Sequence, residues 1–176
     1  MSLCPMEKCV WRGMVSHSER LQKIENYGVY HKNFPEFLKE FPREMWSYKP
    51  DADHWSIHEI IFHLLDTEMN SYVRYRTCVA EPGKTITPFD QDKWSRALAY
   101  SDRNVEEAVR GLQWVIQMNY ELLKSLPEET FANTVTHPER GVQTLDQAVT
   151  VYFNHIPHHI EQMRKRHREW KKLQVH

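Results

Sequence analysis

The chain is short of residues that interrupt helices. Only 5 glycines occur among 176 residues, and long stretches carry neither glycine nor proline, so helices dominate and the expected class is all-α. Cysteine is equally scarce. Cys4, Cys9 and Cys78 form no CxxC pair and cannot all be paired within one chain, which excludes a disulfide framework and fits a cytoplasmic location. Cys78, flanked by apolar residues in a helix, reads as packing, and a catalytic thiol at Cys4 or Cys9 is not expected. Neither charge sign is in excess: 23 basic against 24 acidic residues leave a net charge of −1, so the composition offers no footprint for nucleic acid. The longest basic run, Arg164 to Lys172, closes the last helix and reads as a solvated face that complements the helix dipole. A long apolar run is also missing. The segment Met1–Val15 is broken by Pro5, Glu7, Lys8 and Arg12, which argues against a signal peptide or membrane span. What is left is the profile of one soluble domain with one core, taken as residues 18–176 after an N-terminal extension of residues 1–17.

Four helices are expected. The first runs from about Ser18 to Phe41 behind a capping box of Ser16 and Glu19, with Pro35 either kinking it or starting a second piece. The second runs from Ser56 to about Ala80, opened by Ser56 with Glu59 and closed by Pro82-Gly83. A third spans about Asn104 to Leu126, capped by Ser101 or Asp102 and ended by Pro127. The fourth runs from Leu145 to about Leu173 behind a box of Thr144 and Gln147. The connection from Glu81 to Arg103 is long enough to cross a bundle and let the second and third helices run parallel. Thr134 to Thr144 reads as a small hairpin turning around Pro138 to Gly141.

Chemistry concentrates on histidine. His155 and His159 stand four residues apart on the fourth helix, one turn apart on one face, where two imidazoles can chelate one metal ion. They flank an apolar stripe of Leu145, Val149, Tyr152, Phe153, Ile156, Ile160 and Met163, while His158 points further toward solvent. Pro157 between them removes a backbone N–H and is expected to kink the helix and re-aim His155. The second helix supplies a candidate third ligand, His63. Periodicity opposes it: Ile57, Ile61, Leu64, Leu65 and Tyr72 define the stripe, and His63 lies nearly opposite with Glu59 and Asn70, as a surface residue would. Glu68 falls inside the stripe, where a carboxylate is costly unless it is paired or functional. A second wet face turned toward a cleft would reconcile the two. His54, His58 and His137 read as structural or solvated, and Trp46, Trp55, Trp94 and Trp114 as core and cleft-wall packing.

The helix start Trp55-Ser56-Ile57-x-Glu59, the segment His63-Leu64-x-Asp66-x-Glu68, the Trp94 region, and Thr144-Leu145 followed by His155-x-x-x-His159-x-x-Gln162 together resemble the DinB/YfiT-like superfamily from about residue 20 to 170. The resemblance implies a four-helix bundle of up-down-down-up topology with a long crossover between helices 2 and 3. It implies a zinc or nickel ion held by one residue of the second helix and two of the fourth, which here are His63, His155 and His159. Three neutral imidazoles leave a coordination position open, the arrangement of catalytic sites, where water or a thiolate can bind. Glu59 and Gln162 are candidate catalytic or outer partners, as are Asp66 and Glu68, although Glu59 already has a capping role.

Two functional classes follow. One is a metal-dependent enzyme, a hydrolase or a low-molecular-weight-thiol transferase, acting on a small-molecule substrate. The other is a non-catalytic stress-response or binding protein with a structural or vestigial metal site. A homodimer is expected, as is common among relatives, with no membrane or nucleic-acid partner.

Overall fold

The computed structural model describes residues 16–174; Cys4, Cys9 and the segment Met1–Val15 lie outside the described residues. Four long helices carry the fold: α1 (His17–Leu38), α2 (Ile57–Ala80), α4 (Val105–Ser125) and α5 (Leu145–Leu173), with a short α3 (Gln91–Ala97) inside the long connection. Three of the four long helices begin where local chemistry places them. Ser16, Ser56 and Thr144 each accept from the backbone N–H three residues on, and Glu19, Glu59 and Gln147 each reach back to the cap N–H. The third long helix departs from expectation at its cap. Asn104, rather than Ser101 or Asp102, accepts from the N–H groups of Glu106 and Glu107, because a one-turn 3₁₀ helix at Tyr100–Asp102 already occupies those residues.

Neither internal proline divides its helix. α1 continues through Pro35 and stops at Leu38, and α5 runs unbroken through Pro157. The hairpin forms as β1 (Thr134–His137) and β2 (Gly141–Thr144), antiparallel, with Gly141 at φ +75° in the turn where a side chain would be strained. The crossing chain adds itself to this hairpin: Gly83 donates to the Thr134 carbonyl, Ile86 to Thr136, and Thr136 back to Lys84. The long connection is therefore strapped to the bundle by main-chain bonds.

α1 and α2 each pack against both α4 and α5, so the order around the bundle is α1, α4, α2, α5. α2 is consequently buried on more than one face. Ile57, Ile60, Ile61 and Leu64 enter the apolar core, and His63, Thr67, Ser71 and Arg74, spaced at helical turns, form a second buried face that is polar. This overturns the surface position that periodicity gave His63, which is only 1% exposed. A single-stripe reading assumes one partner, and α2 has several. Trp94 and Trp114 also depart from expectation: both are exposed, against Phe89 and Tyr72 respectively. Cys78 is buried, donates to the Asn133 carbonyl, and has its thiol pushed up by burial to about 11, so it is packing as expected.

Candidate metal centre

His63 of α2 and His155 and His159 of α5 meet at one point. The Nε2 atoms of His63 and His155 lie 3.1 Å apart, and those of His155 and His159 lie 3.0 Å apart. All three rings are buried, with ring centroids 4.4–5.0 Å from one another. Pro157 leaves the pair intact, since the helix carries both residues on one face despite the missing N–H.

The electrostatics suit cation binding by neutral rings. Burial, first, and then the positive potential of neighbouring histidines hold His63 and His155 well below the ordinary 6.5, and burial lowers His159 to about 3. The imidazoles are therefore uncharged at neutral pH and present lone pairs. Gln162 fixes which nitrogen does so at His159: its Oε1 accepts from Nδ1 at 2.7 Å, leaving Nε2 unprotonated and aimed at the other two rings. Three lone-pair nitrogens cannot face one another without repulsion unless a proton or a cation lies among them. Their separation is close to the roughly 3.3 Å between nitrogens of a tetrahedral ion bound at about 2.05 Å. The donor set thus fits a divalent metal ion.

Trp55 walls the cluster. Its ring lies 4.5 Å from that of His63 and stacks over His159 at 6.3 Å. Arg166 holds it there: its Nε donates to the Trp55 carbonyl at 3.1 Å and its Nη1 to Glu169 at 2.7 Å. Arg166 is 1% exposed, which corrects the reading of the whole Arg164–Lys172 run as solvated. The available signal was spacing, because Arg166 stands seven residues after His159 and so shares its face.

The acidic candidates are used elsewhere. Glu59 accepts from the Ser56 N–H through one carboxylate oxygen and pairs with Lys49 through the other at 3.0 Å. Asp66 accepts from the Tyr100 hydroxyl. Glu68 is wholly buried, accepting from Tyr27 at 2.6 Å and Ser71 at 3.0 Å. His54 pairs with Asp51, and His58 stacks on Phe62. None of these side chains belongs to the three-imidazole cluster. Of the proposed outer partners only Gln162 is seen bonded to it.

A helical bundle with a buried, uncharged three-histidine cluster linking its second and last long helices defines a class of candidate metal-binding proteins, and sequence comparison narrows it. The family model for the DinB superfamily matches residues 30–163, and the chain belongs to that superfamily. A protein of Bacillus cereus named "Putative metal-dependent hydrolase" is 33% identical over 143 residues, covering 73% of this chain and 82% of that protein. One from Bacillus thuringiensis, also named a putative metal-dependent hydrolase, matches at the same identity and coverage. Among solved structures, YfiT from Bacillus subtilis, described as "a probable metal-dependent hydrolase with an unusual four-helix bundle topology", superposes with a TM-score of 0.84. The match is 21% identical and covers 92% of this chain and 93% of that one. The expected superfamily and four-helix-bundle fold are thus borne out.

Proposed function

We propose that the protein is a metal-dependent hydrolase of a small molecule, with His63, His155 and His159 holding one zinc or nickel ion. The observation that carries this reading is the convergence of three neutral Nε2 atoms on one point. When bound, such an ion supplies a Lewis acid and lowers the pKa of water toward neutrality. The chain's own residues do the rest. Burial keeps the three rings unprotonated, Gln162 holds the His159 tautomer, and Trp55, anchored by Arg166, excludes bulk water from one side. Glu59, engaged in its cap and ion pair, serves α2 rather than the reaction. The names of the Bacillus relatives support hydrolysis over thiol transfer.

The same reading includes a bundle of up-down-down-up topology, supported by the long 81–104 connection and the helix order α1, α4, α2, α5. It also includes a cytoplasmic homodimer. The exposed Met69 and Val73, one turn apart on α2, offer apolar surface for a second copy.

The test is elemental analysis of protein purified without chelator, followed by a hydrolysis screen with and without added low-molecular-weight thiol. One divalent ion per chain and thiol-independent turnover are expected. Turnover only with thiol would reassign the site to transfer. No bound metal, with no thermal shift on adding zinc or nickel, would reassign the protein to a non-catalytic role.

A further inference from the structure

A second polar cavity lies away from the histidine cluster. It has a volume of about 780 Å³ and is an open cleft lined by α2, the crossing segment 88–93 and the β1–β2 hairpin; none of the three clustered histidines lines it. Arg74, on its wall, stands eleven residues after His63, about 16 Å further along the helix axis. The cavity is the size of ordinary small-molecule sites.

Its wall carries three cations, Arg74, Lys93 and Arg140, and three carboxylates, Asp90, Asp92 and Glu139, but neither arginine is paired with any of these acids. Arg74 is 8% exposed, donates to the Tyr152 hydroxyl and the Thr87 carbonyl, and makes no ion pair among the described residues. Its buried Nε has no hydrogen-bond partner among the described residues. A buried guanidinium facing only neutral acceptors is costly, and arginines in such positions ordinarily meet a carboxylate or phosphate. Arg140, half-buried on the β-turn, also lines the cavity and likewise makes no ion pair among the described residues. Between them sits His137, 4% exposed, whose Nδ1 accepts from the Glu139 N–H. Burial, then Arg74 and Arg140, lower its pKa, with Glu139 opposing them in part, so both guanidinium charges act on the same spot.

The acidic residues on the wall do not pair with the arginines, and Asp92 makes no ion pair among the described residues. Asp90 is committed to the α3 cap and to Lys93. Glu139 is exposed and pairs with neither arginine.

We propose that this cavity is an anion site, in which Arg74 and Arg140 bind the carboxylate or phosphate group of a small molecule, separate from the histidine cluster. Two guanidinium forks match either group in bidentate fashion, which lysine could not do. Phe89, also on the wall, offers apolar surface to the remainder of the ligand. The site stands on its own geometry and does not depend on the hydrolase reading.

The experiment is calorimetric titration of the full chain with inorganic phosphate and, in a parallel arm, with succinate. Saturable binding of one equivalent of either probe is expected, and the stronger arm identifies the anion. Arg140→Gln should weaken it by about tenfold, which is ~1.4 kcal/mol. Arg74→Lys keeps the charge but loses the fork, and should weaken binding by a similar factor with the fold intact by circular dichroism. Glu139→Gln should tighten it. His159→Ala should leave binding unchanged, since the histidine cluster is distant. Binding of neither probe, equal binding by wild type and Arg140→Gln, or loss of binding in His159→Ala would each overturn the proposal.

Discussion

Replacing Glu68 by Gln should make the protein more stable at pH 8 and remove a slope in its stability–pH profile. Glu68 is fully buried, and all three of its donors, Tyr27, Ser71 and Asn119, approach one oxygen. The other, Oε1, has no partner among the described residues. Desolvation therefore outweighs the hydrogen bonds and raises its pKa from 4.5 to about 7. A carboxyl whose folded pKa is raised stabilises in its protonated form. That contribution is fully present below pH 4.5 and is lost as pH rises through about 7. At ~1.36 kcal/mol for each tenfold change in acidity, the whole effect is about 3 kcal/mol, of which about 2.5 kcal/mol falls between pH 5 and 8. Glutamine fills the same volume and cannot ionise. Urea unfolding of wild type and Glu68→Gln at pH 5 and 8, with chelator present so that metal linkage is absent, measures the difference between the two slopes; every other titrating group is common to both and cancels. Slopes agreeing within about 0.5 kcal/mol would refute the argument, because the carboxyl would then ionise equally easily folded and unfolded.

His159→Ala should abolish binding of the divalent ion while His158→Ala retains it, read by elemental analysis; the apo form of His159→Ala should melt close to apo wild type, since the helices have their own core. Gln162→Ala should weaken metal binding by about tenfold in competition with a chromogenic chelator, because nothing then fixes the His159 tautomer. Acid should destabilise the metal-free protein: with His159 lowered to about 3, the unfolded chain takes up a proton that the folded chain refuses. That stability is present above pH 6.5 and is lost as pH falls toward 3, measurable by urea titration at pH 7 and 5. Gly28→Ala should destabilise by about 1–2 kcal/mol, because a Cβ there would sit 2.5 Å from the Tyr120 ring where α1 and α4 approach. Adding Tyr120→Ala should recover most of that loss in thermal melts.

Short-range chemistry made much of this molecule legible from its residues. Each capping box needs only a hydroxyl and an acid or amide three residues apart, so Ser16, Ser56 and Thr144 mark their helices without help from the rest of the fold. His155 and His159 share a face for the same reason, since one helical turn is a local distance. The turn at Gly141 is a similar case. The third ligand candidate was different. His63 lies on the polar side of α2, and its burial depends on α2 being wrapped by several neighbours, which no period of 3.6 residues encodes. The resemblance to a family supplied His63 where periodicity denied it. Tertiary packing alone decided that Arg166 reaches the Trp55 carbonyl, and that Glu68 meets Tyr27 and Asn119 from two other helices. It also placed Arg74 and Arg140 against one cavity from positions far apart in the chain. Caps and helical faces are set within a few residues, whereas the environment of a buried charge is set by whichever helices close around it.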